Sequence, residues 1–204
     1  MSKKEYLLVK VAVDPVIFTL QNGRIKVLLQ PREKEPYQGM KELPGGLLLP
    51  PETAEETLKR KLRELLGHEN LFFTQFYTFT APDRDPRGRT ISIGFVALVG
   101  EEKIKEWKGW MDMEQINDAA FDHLKIIEAA RNYLKENLTP SIVKHFMPVL
   151  FPLNKLQEVY ELLEGKKYDN RNFRKKMLSS GIVEETKRME KEVSHRPAKL
   201  FRFA

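Results

Sequence analysis

Short runs rich in Val, Ile, Phe and Leu recur through the first half of the chain and predict β-strands. The first run covers residues 6–20, and the turn sequence Gln21-Asn22-Gly23 leads from it into a returning strand at 24–30. Two further strands are predicted at 71–80 and 90–99. The second of these is almost continuously apolar, as expected for a strand that is buried within a sheet.

Two helices are predicted among these strands from the spacing of apolar residues. The first starts at Thr53, which forms a capping box with Glu56, and it ends at Gly67. Its apolar face consists of Leu58, Leu62 and Leu65. The second covers residues 122–138, with an apolar stripe at Leu124, Ile127, Ala130 and Leu134. Strands and helices in this mixed order predict an α/β/α sandwich, of the α/β or α+β class.

The last third of the chain predicts a second, smaller module. It begins at Thr139-Pro140, because a proline disfavours helical geometry in the residue before it. Residues 146–153 contain two prolines and are predicted to be a connecting segment. A helix follows, with Asn154 and Gln157 at the spacing of a capping pair. Its apolar stripe consists of Leu156, Val159, Tyr160 and Leu163.

Another helix of this module is predicted at residues 170–179, after a turn. Its inward side consists of Phe173, Met177 and Leu178. Its outward side consists of Arg171, Asn172, Arg174 and Lys175. Two short helices of this kind suit a helix-turn-helix whose second helix enters the DNA major groove. Residues 182–185 and 199–203 would form a β-hairpin wing, from which Arg196 and Lys199 can reach phosphates or the minor groove.

Charge is divided unevenly between the two modules. Residues 1–138 carry 21 Lys+Arg and 21 Asp+Glu, whereas residues 139–204 carry 14 and 8, so that 14 minus 8 gives the whole formal charge of +6. A neutral first module joined to a basic second module suits an anionic polymer as partner. A solvated basic face would give the same count.

The composition excludes several classes of protein. Of the 204 residues, 41% are hydrophobic, which is enough for a core, yet no run approaches the roughly 18 apolar residues that span a bilayer. The chain has no cysteine, so disulfides and thiolate metal sites are excluded. Because no signal-peptide pattern is found either, we expect a cytoplasmic protein without a membrane partner.

Gly46, Glu52, Arg60 and Gly67 lie at fixed spacings before and along the first predicted helix. These spacings resemble a metal-dependent pyrophosphatase motif, the Nudix box G-x5-E-x7-R-E-U-x-E-E-x-G-U, where U is aliphatic. In Nudix hydrolases the glutamates of R-E-U-x-E-E hold Mg²⁺ against a diphosphate, because a hard cation requires clustered oxygen ligands. Here those positions are Lys61, Glu64 and Leu65. Lys61 can pair with Glu64, so we predict a degenerate box with no metal and no catalytic residue.

A loop and the start of the second helix offer further polar groups to a ligand. The loop at residues 82–89 has three arginines within six residues, and guanidinium groups bind phosphate while aspartates bind ribose hydroxyls. Phe121-Asp122-His123 adds a carboxylate and an imidazole near a helix N-terminus. A salt-bridged structural turn and a simple N-cap at Asp122 are the alternatives. The candidate ligand contacts are Arg32, Glu42, Arg84, Asp85, Arg87, Asp122 and His123.

Leu43-Pro44-Gly45-Gly46, the degenerate box, residues 83–89 and Phe121-Asp122-His123 together resemble the Nudix-related transcriptional regulators of the NrtR type. This resemblance covers nearly the whole chain. It implies a Nudix-like ligand domain at 1–138 and a winged helix-turn-helix DNA-binding domain at 139–204. Members of this group resemble ADP-ribose pyrophosphatases, but many have lost hydrolysis and use the pocket to sense ADP-ribose or, in sugar-responsive relatives, a pentose.

The preferred interpretation is a homodimeric, ligand-responsive repressor that needs no cofactor and reads a palindromic operator in double-stranded DNA. Arg171, Asn172 and Arg174 are then predicted to read bases. One alternative is an active Nudix hydrolase of ADP-ribose or a nucleoside diphosphate, which would require Mg²⁺. Another is a catalytically inactive adaptor whose C-terminal module binds protein.

Overall fold

The N-terminal part of the protein is built around a mixed sheet of six strands. A computed structural model describes residues 8–67, 71–104, 108–191 and 196–204. The strands of this part are β1 (Lys10–Gln21), β2 (Arg24–Leu28), β3 (Gln30–Pro31), β4 (Lys41–Glu42), β5 (Gly46–Leu47), β6 (Phe72–Phe79), β7 (Thr90–Val99) and β8 (Trp110–Asp112). The sheet has the order β6-β7-β1-β2-β8, with β5 paired to β1, while β3 and β4 pair with each other. β1 is central, parallel to β7 and antiparallel to β2.

Two helices, α1 (Ala54–Leu66) and α2 (His123–Glu136), cover opposite faces of this sheet. Val16 and Phe18 of β1 belong to a core that includes buried residues of α2, whereas Val13 and Ile17 belong to a core that includes those of α1. Successive side chains of a strand point to opposite faces, so one apolar strand contributes to both cores. The α/β/α sandwich predicted from the sequence is confirmed.

The described residues of the C-terminal part form three α-helices, a short 3-10 helix at Lys144–Phe146 and a small sheet. Its helices are α3 (Pro140–Val143), α4 (Leu153–Glu164) and α5 (Asn170–Ser179), and its strands are β9 (Phe151–Pro152), β10 (Val183–Met189) and β11 (Lys199–Phe203). The four residues of the predicted α4 stripe are buried, as are Phe173 and Met177 of α5. β10 and β11 pair antiparallel and form the wing after α5, so the predicted winged helix-turn-helix is confirmed.

The start of α4 differs from the prediction. The helix begins at Leu153 with Pro152 at the N-cap, so Asn154 lies within the first turn and makes no cap. The Gln157 side chain instead donates hydrogen bonds to the Tyr168 carbonyl (3.0 Å) and to Asn170 Oδ1 (2.8 Å). Gln157 therefore ties α4 to the turn before α5, which is a tertiary role that local spacing does not distinguish from capping.

Other boundaries also differ from the prediction. The predicted strand at 24–30 is divided into β2 and β3, and the predicted connecting segment at 146–153 contains β9, which pairs with β11. Leu178 is wrong as an inward residue, because it is 38% exposed. The predicted beginning of the first strand, residues 6–7, lies outside the described residues, and β1 starts at Lys10.

The two parts of the chain share one apolar core. Ile142, Val143 and Phe146 pack in the core that also contains residues of α2 and α4. The rings of Phe72 and His145 stack across this junction with 4.4 Å between their centres. The division of the chain at residue 139 stays a prediction. None of the helices in the described part of the chain has the length and apolar character of a membrane span.

Candidate ligand pocket and nucleic-acid interface

A polar cleft of about 390 Å³ lies between the start of β1, the loop after β6 and the N-terminus of α2. It is lined by six of the seven predicted ligand contacts, namely Arg32, Glu42, Arg84, Asp85, Arg87 and His123. The seventh, Asp122, is joined to the cleft by its contact with Arg84. Residues that are distant in sequence therefore meet at one site, together with Asp14, Phe121 and Thr90.

Arg84 is at the centre of a buried carboxylate network. Its side chain is 4% exposed and donates to both oxygens of Asp122, at 3.0 and 2.7 Å, and to Asp14 Oδ2 at 3.1 Å. Ser92 Oγ donates to the same Asp14 oxygen. Asp122 stands at the N-cap of α2 but makes no side-chain capping bond, so the simple N-cap interpretation is wrong. Its carboxylate instead joins α2 to the loop after β6.

Asp14 is a pocket residue that the sequence analysis did not include. It is a buried carboxylate within the otherwise apolar run of β1, which is the signal that could have identified it. Gly45 packs directly against it, since a Cβ at Gly45 would lie 2.2 Å from Asp14 Oδ1. The Pro-Gly-Gly turn can therefore approach β1 closely only without a side chain at this position.

His123 is held by the backbone on one side. Its Nδ1 accepts a hydrogen bond from the Leu43 amide at 2.9 Å, and its Nε2 lies 3.8 Å from Asp14 Oδ1. An Nδ1 that accepts from an amide carries no proton, so the Nε2 position bears the hydrogen and faces the carboxylate. His123 thus contributes a donor to the cleft.

Two further arginines flank Phe121 at the cleft wall. The guanidinium carbons of Arg32 and Arg87 lie 4.6 and 4.9 Å from the centre of its ring. Phe121 has a positive φ of 57°, which is unusual for a residue with a side chain. Arg32 donates to Glu42 at 2.7 Å, and Arg87 donates to both oxygens of Asp85. This wall therefore offers cations and an aromatic face together.

The pKa of Asp85 shows how strongly this pairing favours the ionised form. Burial alone would raise its pKa, but hydrogen bonds from the side chain and amide of Arg87 lower it to about 2. The same hydrogen bond to Asp85 raises the pKa of Arg87. Both groups are therefore charged throughout the physiological range.

The two glutamates of the degenerate box, Glu52 and Glu64, form ion pairs with basic residues of α1. Arg60 donates to both oxygens of Glu52, at 2.7 and 2.8 Å, and these bonds lower the pKa of Glu52 to about 2. Lys61 Nζ lies 2.7 Å from Glu64 Oε2, as predicted, and this contact lowers the pKa of Glu64. Leu65 is half-buried and packs against the core beneath α1.

These residues do not fit a divalent cation. Among the described residues, no group of three or more His, Asp or Glu side chains is placed to hold a metal ion. Arg60 occupies the Glu52 carboxylate, and Lys61 adds a positive charge where a cation would need an oxygen ligand. Gly46 is the first residue of β5, and Gly67 is the left-handed C-cap of α1.

The predicted nucleic-acid contacts lie on α5 and the wing. Arg171, Asn172, Arg174 and Lys175 are all exposed on α5, whose N-cap Asp169 accepts from the Asn172 amide at 2.9 Å. Lys199 is exposed as the first residue of β11, and Arg196 is exposed in the segment before that strand. Within the described part of the chain, two of the six side chains form ion pairs, because Glu185 of β10 contacts both Arg174 and Lys199. Glu185 was not part of the sequence-based set.

Comparison with known proteins places both parts in described families. The NUDIX domain family matches residues 10–130, and the NrtR DNA-binding winged helix domain family matches residues 143–203. The "ADPR responsive transcriptional repressor NtrR" of Acinetobacter baylyi is 32% identical over 213 residues, covering 99% of this chain and 85% of that protein. An ADP-ribose pyrophosphatase of Methanocaldococcus jannaschii is 38% identical over 129 residues, covering 60% of this chain and 73% of that enzyme.

A solved structure agrees over nearly the whole length. The crystal structure of Shewanella oneidensis NrtR with a 27mer DNA superposes with a TM-score of 0.83 at 30% identity, covering 95% of this chain and 93% of that one. Both domains therefore occur in the same order in that regulator and here. The chain belongs to the Nudix family, and because an NrtR winged helix domain follows its NUDIX domain, it is a transcriptional regulator of the NrtR type.

Proposed function

We propose that this regulator is a repressor that binds ADP-ribose in the cleft of its Nudix domain without hydrolysing it. The observation that carries the proposal is the contrast between two neighbouring sites. The cleft offers charged arginines and aspartates to a ligand, whereas the adjoining box has its glutamates engaged by Arg60 and Lys61. Recognition is retained and the groups for metal-assisted cleavage are not.

The dimensions and chemistry of the cleft support a ligand with two polar parts. A second cleft of about 510 Å³ adjoins the first and shares Arg32, Lys34, Glu42 and Arg87 with it. ADP-ribose carries two riboses joined by a diphosphate. The proposed contacts to the diphosphate are Arg32 and Arg87, and those to ribose hydroxyls are Glu42, Asp85 and His123. Arg84 and Asp122 hold each other and set the shape of the site.

The names of the two relatives agree on the ligand and differ on its fate. The repressor of Acinetobacter baylyi is called ADPR responsive, and the enzyme of Methanocaldococcus jannaschii is called an ADP-ribose pyrophosphatase. For this chain, the Lys61–Glu64 pair and the apolar Leu65 favour the first behaviour. The pyrophosphatase activity remains the second candidate, and Mg²⁺-dependent release of AMP is its distinguishing product.

The winged helix supplies the proposed DNA contacts. α5 would enter the major groove with Arg171, Asn172, Arg174 and Lys175, while Arg196 and Lys199 of the wing approach phosphates. Reading a palindromic operator requires two copies of the chain, so we propose a homodimer in the cytoplasm that ADP-ribose switches between two states of DNA affinity. If the C-terminal domain were a protein-binding adaptor, the full chain would not bind double-stranded DNA.

The test is to measure ligand binding by the full chain. Thermal shift and titration calorimetry are carried out with ADP-ribose, NAD, AMP and ribose. We expect ADP-ribose to raise the melting temperature most, because a ligand selective for the folded state stabilises it. Arg87→Gln should weaken ADP-ribose binding by about 1.5–3 kcal/mol, the range for hydrogen bonds to charged groups.

Arg131→Gln is the matched control. Arg131 and Arg87 are 54% and 48% exposed and each pairs with one acidic residue, but Arg131 lies on α2 away from the cleft. The melting temperature without ligand shows whether either variant is unfolded. Equal binding of ADP-ribose by the two variants would refute the assigned pocket. Rapid release of AMP from ADP-ribose with Mg²⁺ would show that the protein is a hydrolase and would refute the proposed sensor.

A further inference from the structure

Glu185 is an exposed residue of the wing whose carboxylate contacts both α5 and β11. It belongs to β10, yet its Oε1 accepts a hydrogen bond from Lys199 of β11, and its Oε2 lies 3.7 Å from Arg174 Nη2 of α5. One carboxylate thus contacts two cations from two other elements. The hydrogen bond from Lys199, with the charge of Arg174, lowers the pKa of Glu185, so the carboxylate is ionised at neutral pH.

The strand register explains why Glu185 faces α5. Glu185 is the antiparallel partner of Phe201, and residues that face each other across two strands project from the same side of the sheet. Phe201 is buried, and the guanidinium carbon of Arg174 lies 5.4 Å from the centre of its ring. Glu184 projects from the opposite side, where it pairs with its partner Arg202.

Arg174 and Lys199 are both among the proposed DNA contacts. We propose that Glu185 acts as an internal substitute for a DNA phosphate, holding Arg174 and Lys199 in the free protein and thereby limiting its affinity for DNA of arbitrary sequence. This inference rests on the proposed DNA-binding function. Before either cation contacts a phosphate, its contact with Glu185 must be given up, and the ionised carboxylate that remains beside the two cations repels the phosphate backbone.

The affinity-setting role is tested with the full chain and a labelled 30-bp duplex of arbitrary sequence. We expect Glu185→Gln to bind this duplex about three- to tenfold more tightly than the unsubstituted chain, because two exposed ion pairs would no longer compete with the phosphates. Phosphate contacts release counterions, so the slope of log affinity against log salt should steepen by about 1 to 2. Fluorescence anisotropy between 50 and 200 mM salt measures both quantities.

Glu184→Gln is the matched control, because it removes the same charge one residue away and frees a cation on the opposite face. It should change affinity by less than about twofold, with little change in the salt slope. In an Arg174→Gln/Lys199→Gln background, the added effect of Glu185→Gln should shrink to that of Glu184→Gln. Melting temperatures confirm that each variant is folded.

The outcomes separate this inference from the proposed function. If the unsubstituted chain binds no duplex even at 50 mM salt, the proposed DNA-binding function fails. If it binds but Glu185→Gln matches Glu184→Gln, Glu185 has no special role and the inference is wrong. Weaker binding of the duplex by Glu185→Gln would also overturn the inference, because Glu185 would then hold the wing in the position that binds DNA.

Discussion

At the residue scale, Arg84 shows how a ligand site can depend on a side chain that is itself barely accessible. Its guanidinium joins Asp14 of β1 to Asp122 at the start of α2. Both carboxylates are nearly buried, and among the described residues Arg84 is the guanidinium that pairs with both of them. Arg84 therefore fixes the relation between the sheet and α2 at the floor of the cleft.

Replacing Arg84 by Met should be strongly destabilising. Removing one partner from a buried ion pair leaves the remaining charge uncompensated, which costs about 3–5 kcal/mol. Urea denaturation of the full chain measures the loss in the free energy of unfolding. Arg131→Met is the control, since its exposed pair with Glu114 should contribute at most about 1 kcal/mol. Similar losses in the two variants would contradict the central role of the Arg84 network.

The sequence identified Arg84 and Asp122 as candidate contacts but not their attachment to each other. Spacing and residue type indicate which side chains can bind anions or hydroxyls. The partner of Arg84 in β1 lies 70 positions away, and a lone carboxylate in an apolar strand gives no indication of what neutralises it. The same limit applies to Glu185, whose cations come from α5 and β11.

At the element scale, the spacing of apolar residues and the positions of capping and turn-forming residues predicted the long helices and strands better than the short ones. The boundaries of β7 and α5 agree with the prediction, because a continuous apolar run and a capped amphipathic helix are local signals. β9 was missed because its two residues are a strand only through pairing with β11, far along the chain. Capping at Asn154 was wrong because Pro152 is the N-cap and the helix begins at Leu153, before Asn154.

α1 keeps the spacing of a Nudix box, but Lys61 and Leu65 stand where that box has glutamates. Rebuilding the box with Lys61→Glu and Leu65→Glu should create Mg²⁺-dependent AMP release from ADP-ribose, at least about tenfold above that of the unsubstituted chain, because three clustered carboxylates can hold a hard cation. Chromatographic detection of AMP with and without EDTA measures it. A stability loss of about 1–3 kcal/mol is expected from burying part of a carboxylate at Leu65.

The controls for the rebuilt box use the same helix. Adding Glu64→Gln to the double variant should abolish the gained activity. Lys59→Glu with Leu65→Glu carries the same charge changes, but residues 59 and 61 lie on different faces of the helix, so it should remain inactive. If the double variant stays inactive although it is folded, residues beyond 61 and 65 account for the missing chemistry.

At the scale of the whole molecule, α2 connects the ligand cleft to the winged helix. Its first residue, His123, lines the cleft, while Leu134 near its end packs in the core shared with α4. A ligand that prefers one position of the N-terminus of α2 would therefore favour one arrangement of the two domains. The second connection is the Phe72–His145 stack, which lies beside Lys103 and Lys144.

This junction should make the stability of the protein depend on pH. Burial, then the charges of Lys144 and Lys103, lower the pKa of His145, with Arg202 and Glu102 lining the same cleft. Folding thus favours the neutral ring. The stability that His145 contributes is present above its ordinary pKa of 6.5 and is lost as pH falls through its lower pKa in the folded protein.

His145→Phe keeps the stacked ring but cannot titrate. The free energy of unfolding, measured in urea at pH 7.5, 6.5 and 5.5, should fall more steeply towards low pH in the unsubstituted chain than in His145→Phe. Parallel curves would show that His145 does not couple the junction to pH, because every other titrating group is common to the two proteins.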